Sequence, residues 1–224
     1  MAGALACRLP LGVRGRNRLV SLGHGPAQQL AWGSPYFDQA SRARLLTPEA
    51  LAARDTTYEA PERWQLSLAA DGRDAVDRMT RMHFRAVLPD DFLVKVDRTS
   101  MAHSLEARSP LLDYRLIEFA FGRIPSSLKV HAGEGRRLQR MLAARLLPRG
   151  YDLHRKQGFS VPLDEWLRRA DCAPVRALIP ALTRWLRRDA MEALIRGQMR
   201  GRANGSRLYA LVMLGHALRN LRLT

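Results

Sequence analysis

Apolar residues recur at helical spacing along most of the chain, and strand-like alternation never persists beyond a few positions. In residues 71–88 the apolar positions fall on one helical face until Pro89 ends the run. Similar stripes occur in residues 138–146 and 208–218. Such stripes face a core by default. The pattern therefore predicts a mainly α fold with short loops.

Capping residues mark where several of these helices begin. Thr47-Pro48-Glu49 combines a capping hydroxyl, a proline at the first helical position and an early acid. Asp113 is placed to cap a helix that Pro125 closes, and Pro162 is placed to start a short helix. These signals predict helix starts from local sequence alone.

Two regions differ in composition. Residues 1–40 are punctuated by glycine and proline and contain no acid before Asp38, which predicts an irregular, basic lead-in. Residues 41–224 carry the helical stripes and are predicted to form one helical domain.

No apolar run approaches the roughly 20 residues of a membrane span, so no membrane partner is expected. The N-terminus lacks the apolar segment of a secretory signal.

The two cysteines, Cys7 and Cys172, lie far apart in sequence. They form neither a metal-binding spacing nor a disulfide framework. This usage fits a reducing compartment and predicts a cytoplasmic protein.

The formal net charge of +16 raises the question of nucleic-acid binding. The arginines are spread along the chain, and no stacking aromatic residues interleave with them. Nucleic acid is therefore not an expected partner. An anionic small substrate, such as a nucleotide, explains the charge equally well.

Lys156 is one of only three lysines among 37 basic residues. It lies in the loop Arg155-Lys156-Gln157-Gly158-Phe159. A lysine ammonium is a compact, mobile charge suited to neutralising phosphate or moving a proton, whereas the arginine guanidinium is a planar fork. Chance and biased codon supply are the competing explanation.

Two further segments concentrate charge among apolar or small residues. Asp97 and Arg98 have apolar flanks, which predicts partial burial and either an internal ion pair or a substrate contact. Glu106 and Arg108 stand in a proline-broken turn that can aim a carboxylate and a guanidinium into a cleft. A structural salt-bridge network is the alternative.

A third segment, Gly133-Glu134-Gly135, is predicted to open a helix. The amides at a helix N-terminus can meet an anion there.

Together these motifs resemble the C-terminal half of glutamine-hydrolysing asparagine synthetases, in the family's order and spacing. The match is firmest from about residue 85 to residue 170, where the chain reads LPDDFLVKVDRTSMAHSLEARSPLLDYRLIEFAF, GEGRRLQRMLAARLLP and RKQGFSVPLDEWLR. The resemblance implies the helical C-terminal portion of an α/β synthetase domain of the PP-loop type, with most of the parallel sheet absent.

The resemblance also implies a reaction. That family activates aspartate with ATP, in the presence of Mg²⁺, to a β-aspartyl-adenylate and pyrophosphate. Ammonia from a separate glutaminase domain then displaces the adenylate. Lys156 matches the lysine that lies against the triphosphate, where it stabilises the departing pyrophosphate or transfers a proton. The resemblance further implies that substrate or ATP contacts come from Asp91, Asp97, Arg98, Glu106, Arg108 and Glu134, and it implies no metal ligand in this chain.

Departures from the family pattern limit what this chain is expected to do. It contains neither the Ser-Gly-Gly-x-Asp-Ser loop that binds pyrophosphate nor the acidic glycine motif linked to Mg²⁺, and it has no terminal nucleophilic cysteine. The chain alone is therefore expected to be inactive, with its missing portions either lost or supplied by another chain. A related amide- or lactam-forming synthetase subunit and a basic binding module derived from the fold remain alternatives.

Overall fold

The computed structural model describes residues 9–25, 28–29, 36–53, 66–68, 72–153 and 161–222. The chain divides into two compact units, which are treated separately below. The first unit comprises Met1–Gly25, Trp32–Ala60 and Phe159–Thr224; the second comprises Pro26–Ala31 and Pro61–Gly158.

The described part of the chain is mainly helical, which confirms the fold class that the sequence predicts. A π-helical turn, Leu88–Leu93, a 3₁₀ turn, Pro110–Leu112, and a short hairpin of β1, Val130–His131, and β2, Glu134–Gly135, accompany the α-helices. In chain order, helices α1 to α13 are Arg16–Ser21, Gln39–Leu45, Pro48–Ala52, Ala75–Arg85, Val94–Met101, Tyr114–Gly122, Ser126–Lys129, Arg137–Leu146, Leu163–Arg169, Ala173–Arg176, Ile179–Leu182, Arg188–Met199 and Gly205–Asn220.

Side-chain caps begin the helices where the sequence predicts them. Thr47 Oγ1 accepts the Ala50 N–H at the start of α3, at 3.2 Å. Asp113 Oδ1 accepts the Arg115 N–H at the start of α6, at 2.9 Å. Each acceptor satisfies one of the amides that a helix start leaves without a partner.

The Gly-Glu-Gly segment departs from its prediction. It was expected to open a helix, but Glu134 and Gly135 form β2 and pair with β1 in an antiparallel hairpin. The helix starts only at Arg137, after Arg136 adopts a left-handed conformation with φ 59°. The hairpin follows α7 directly. The backbone groups of Glu134 and Gly135 pair with β1, so they are not available for the hydrogen bonds of a helix that starts at this point.

The first unit contains a continuous apolar core. Helix α13 packs against α9, α10, α11 and α12. Gly215 allows a close approach, because a Cβ there would lie 3.1 Å from Leu178 Cδ1. The core residues are Leu45, Leu167, Cys172, Val175, Leu178, Ile179, Leu182, Leu186, Met191, Leu194, Ile195, Leu208, Leu211 and Leu218.

A buried polar network joins α9, α12 and the start of α13. Gln198 donates to the Asp164 carbonyl at 2.8 Å and accepts from the Asn204 N–H at 2.9 Å. Asp164 Oδ1 accepts the Gly205 N–H at 2.7 Å, so a side chain from α9 caps α13. Because buried polar groups are costly without partners, these bonds select one arrangement of the three helices.

Residues near the N-terminus also belong to the first unit. Arg16 is buried, and its two terminal guanidinium nitrogens each lie 3.2 Å from Asp38 Oδ2. The Ala203 N–H donates to the Gly12 carbonyl at 3.0 Å, which ties the N-terminal loop to the start of α13. The proposed domain boundary at residue 40 stays a prediction.

The second unit buries far less apolar surface. Of the described residues in this unit, only Met82 and Ala86 are buried hydrophobics. Many of its large apolar side chains are instead exposed on α5, α6, α8 and the turns beside them: Phe92, Val94, Val96, Met101, Leu105, Leu111, Tyr114, Leu116, Phe119, Met141, Leu142, Leu146, Leu147 and Tyr151. Exposed apolar surface on this scale is typical of a face that another segment covers.

Across the described residues, no helix combines the length and the hydrophobicity that a bilayer crossing requires.

Candidate functional site

Helix α5 carries the Asp97-Arg98 pair directly after the π-helical turn Leu88–Leu93. Turns of this kind are rare and often occur at functional sites. Within α5, Thr99 Oγ1 donates to the Lys95 carbonyl at 2.7 Å, and Ser100 Oγ donates to the Asp97 carbonyl at 3.2 Å. The hydroxyls therefore bond to the helix backbone and leave the Asp97 carboxylate available.

Partial burial was predicted for Asp97 and Arg98, and that prediction is wrong. Both side chains are exposed in the structure. Neither forms an ion pair with another residue in the described part of the chain. The apolar flanks suggested burial, but they are themselves exposed, as Val96 and Met101 show.

The turn after α5 positions a second charged pair. Ser104 has φ 55°, and the Leu105 N–H donates back to the Ser100 carbonyl at 3.0 Å, so the chain leaves the helix in a tight reversal. Beyond the reversal, Arg108 Nη2 lies 2.8 Å from Glu106 Oε1. Both side chains are exposed, so the pair adds little to stability.

An open cavity brings these two segments together. Its volume is about 900 Å³, and we call it the motif cavity. It is lined by Pro89, Leu93, Val94, Val96, Asp97, Met101, Glu106, Ala107, Arg108, Ser109, Pro110, Leu112 and Asp113. Three of the predicted site residues, Asp97, Glu106 and Arg108, therefore share one cavity.

Asp113 adds a third carboxylate to the motif cavity. Hydrogen bonds from the Arg115 side chain and backbone N–H lower the pKa of Asp113 below its ordinary value, so it is ionised at neutral pH. The cavity thus presents three carboxylates beside one guanidinium. Carboxylates accept hydrogen bonds from an ammonium group, and the guanidinium fork matches a carboxylate or phosphate.

Other predicted site residues lie elsewhere. Asp91 and Arg98 are exposed but do not line the motif cavity. Glu134 lies in the hairpin, where its Oε2 is 3.3 Å from Arg140 Nη1. Lys156 lies outside the described residues, so its predicted role stays a prediction.

A buried ionic cluster in the second unit was missed by sequence reasoning. Asp77 on α4 is fully buried, and its carboxylate accepts from Arg81 Nε at 3.1 Å and from Lys129 Nζ at 3.4 Å. It also accepts the Arg73 N–H at 3.2 Å. The i, i+4 spacing of Asp77 and Arg81 and the rarity of lysine were the only signals in the sequence.

An aromatic ring holds a third helix against this cluster. The guanidinium carbon of Arg81 and Lys129 Nζ each lie 5.1 Å from the ring centroid of Phe121 on α6. Phe84 meets the same ring edge-to-face, with centroids 5.2 Å apart. Cation–π and edge-to-face contacts of this kind each contribute on the order of 1 kcal/mol. The cluster thus joins α4, α6 and α7.

The carboxylates of the described residues do not form a metal centre. Among the described residues, including the three carboxylates of the motif cavity, no three His, Cys, Asp or Glu side chains are arranged so that they could hold a metal ion.

Comparison with known proteins decides the family. The family model described as "Asparagine synthase" matches residues 16–219, which is most of the chain. The chain belongs to the asparagine synthase family. The resemblance in its motifs is thereby confirmed, and its helical architecture fits a portion of the asparagine synthase domain.

Individual relatives agree with this assignment. The chain is 27% identical over 216 residues to "Asparagine synthetase [glutamine-hydrolyzing] 1" of Bacillus subtilis, a match that covers 94% of this chain and 33% of the relative. It is 38% identical over 98 residues to a "Putative asparagine synthetase [glutamine-hydrolyzing]" of Mycobacterium bovis, which covers 43% of this chain and 15% of that protein. No solved structure matches the chain significantly. The chain thus spans about one third of the length of the Bacillus subtilis relative.

Proposed function

We propose that this chain forms the helical C-terminal part of a synthetase that converts aspartate to asparagine, using ATP and ammonia derived from glutamine. Family membership supports the amide-forming chemistry. The observation that carries the proposal is the motif cavity, where Asp97, Glu106 and Arg108 converge from two segments.

The groups of the motif cavity match the polar ends of an amino-acid substrate. Asp97 and Glu106 are acceptors suited to an α-ammonium group, and Arg108 is a donor suited to a carboxylate or phosphate. Arg108 Nη2 lies 2.8 Å from Glu106 Oε1, so the two groups reach the same part of the cavity.

The proposed reaction has two steps. An oxygen of the aspartate side-chain carboxylate attacks the α-phosphorus of ATP, and the bond to the bridging oxygen breaks, which releases pyrophosphate. Ammonia then attacks the activated carbonyl carbon, and AMP leaves. Lys156 stabilises the negative charge on the departing pyrophosphate, a form of electrostatic catalysis worth several kcal/mol in general. Proton transfer by Lys156 is the alternative role.

The remaining parts of such a synthetase are the proposed partners. The exposed apolar residues of the second unit, such as Leu111 and Leu146, supply a surface for the portion that carries the nucleotide loop. The glutaminase portion would supply ammonia.

We also propose a cytoplasmic location, which agrees with the free, buried thiol of Cys172.

Aspartate-dependent exchange between labelled pyrophosphate and ATP tests this function. We expect exchange when the chain is combined with a protein that carries the glutaminase and nucleotide-loop portions, and none with the chain alone. Glu106→Gln and Arg108→Gln should reduce it, whereas Glu118→Gln, at an exposed position of α6, should not. Absence of exchange with every such partner would overturn the proposal. Exchange with another carboxylic acid in place of aspartate would identify a related amide-forming enzyme.

A further inference from the structure

A cavity in the first unit is lined by arginine and contains no acid. It lies between the loop that starts at Gly12 and the start of α13, and its volume is about 590 Å³. We call it the arginine cavity. Arg14, Arg18 and Arg207 line it, together with Gly12, Val13, Gly15, Asn17 and Ala203. None of these described lining residues is acidic.

Arg207 is the residue that makes this cavity unusual. Its exposed fraction is only 8%, and it forms no ion pair with a described carboxylate. Its Nε donates to the Tyr36 carbonyl at 2.6 Å, and its Nη1 donates to the Ala203 carbonyl at 3.2 Å and to Asn204 Oδ1 at 3.3 Å. Its Nη2 donates to none of the described residues. A buried guanidinium that lacks an anionic partner is costly unless a ligand provides one.

The charges around Arg207 do not compensate it. Burial lowers the pKa of Arg207, and the nearby charge of Arg16 lowers it further, while Asp38 and Asp164 act in the opposite sense. Asp38 is already engaged by Arg16, whose Nη2 lies 3.2 Å away. Arg14 adds a further exposed guanidinium that has no carboxylate partner in the described ranges. The local balance of charge is therefore positive.

The loop that lines this cavity also has backbone donors without a described acceptor. The N–H groups of Arg14 and Gly15 donate to no acceptor among the described residues. Gly12 and Gly15 have φ of +82° and +84°, a conformation that favours glycine and lets the loop fold over the start of α13. Gly12 has no room for a side chain, since a Cβ there would lie 2.6 Å from Asn204 Oδ1.

We propose that the arginine cavity binds a small phosphate-type oxyanion between Arg14, Arg18 and Arg207. Arginine forks and free amides are the usual donors for phosphate, and the cavity has ample room for pyrophosphate. The site lies in the other unit from the motif cavity, and it does not depend on the proposed synthetase reaction. The oxyanion source is either an inorganic anion or the phosphate chain of a nucleotide.

Isothermal titration of the full chain with inorganic pyrophosphate, at fixed ionic strength, tests the proposal. We expect one saturable site per chain, and about tenfold weaker binding in the double variant Arg14→Gln/Arg18→Gln, because charge-assisted hydrogen bonds are lost. The matched control is Arg168→Gln/Arg219→Gln, which removes the same charge from exposed positions of the same unit. Its affinity should equal that of the wild type.

Separate titrations with ATP and with adenosine identify the source of the oxyanion. ATP binding that weakens in Arg14→Gln/Arg18→Gln indicates a nucleotide phosphate chain, and ATP binding that does not weaken indicates an inorganic anion. Arg207→Lys keeps the charge but removes the guanidinium, with its Nη2 donor and its bonds to Tyr36, Ala203 and Asn204, and it should also weaken pyrophosphate binding. An equal loss of pyrophosphate affinity in Arg14→Gln/Arg18→Gln and in Arg168→Gln/Arg219→Gln would reflect only the change in net charge and would overturn the proposal. Absence of saturable pyrophosphate binding to the wild type would also overturn it.

Discussion

Lys129 Nζ donates to Asp77 Oδ1 over 3.4 Å, although the two residues are 52 positions apart in sequence. Arg81 Nε approaches the other carboxylate oxygen at 3.1 Å. Because the Asp77 carboxylate is fully buried, its interactions with these cations offset the cost of removing its charge from water. The contact also links α4 to the helix that leads into the hairpin with Glu134.

Asp77→Asn should destabilise the second unit strongly. The amide cannot balance the charges of Lys129 and Arg81, and loss of one partner of a buried ion pair costs about 3 kcal/mol. Glu118→Gln is the control, since it makes the equivalent change at an exposed position of α6 and should cost less than about 0.5 kcal/mol. Urea denaturation measures the difference in the free energy of unfolding. Hydrogen exchange of the α4 amides shows whether the loss lies in this unit. Equal stability of the two variants would contradict the structural role of Asp77.

Acid should remove the contribution of Asp77. Burial raises its pKa, but hydrogen bonds from Arg73, Arg81 and Lys129 outweigh burial and hold the pKa below its usual range. As the pH falls, the unfolded chain therefore binds the proton first, so this stability is present above about pH 4 and declines below it. Other carboxyls with lowered pKa, such as Asp38, act in the same direction.

A comparison of variants isolates this effect. Urea midpoints of wild type and Asp77→Asn, measured between pH 6 and pH 2.5, should converge as the pH falls. A constant difference over that range would show that the ionised form of Asp77 is not what stabilises the fold.

Lys156→Ala should abolish adenylate formation in an active assembly. Removal of one group that stabilises charge in a transition state typically lowers kcat by about 10²–10³. Aspartate-dependent pyrophosphate exchange measures the loss, and circular dichroism checks that helicity is unchanged. Arg145→Ala, which removes an exposed cation from α8, should retain exchange. Wild-type exchange in Lys156→Ala would refute the assigned role.

The isolated chain should self-associate through the second unit. Leu142 and Leu146 on α8 are exposed, and association would remove such apolar surface from water. Leu142→Glu/Leu146→Glu should therefore lower the average mass measured by light scattering. Leu22→Glu/Leu221→Glu is the control, because it changes two exposed leucines of the first unit. A monodisperse wild-type monomer with one sharp unfolding transition would contradict this expectation.

Local sequence is sufficient for much of the helical structure. The caps at Thr47 and Asp113 accept backbone N–H groups that lie within three residues of them, so short-range chemistry specifies these caps. The motifs around Asp97 and Glu106 were likewise identifiable from their order and spacing, as the family match confirms.

Other features depend on residues that are distant in sequence. One partner of Asp77, Lys129, comes from 52 positions away, and the pairing of Arg207 with the Tyr36 carbonyl spans 171 positions. Neither follows from periodicity, since a helical pattern specifies which face is apolar but not which element covers it. The same limit explains the wrong prediction of burial for Asp97, because its apolar neighbours stay exposed. Helix positions and motif chemistry are thus local properties of this chain, and so is the motif cavity, which residues 89–113 line. The ion pair of buried Asp77 with Lys129 and the arginine cavity arise only when distant segments pack together.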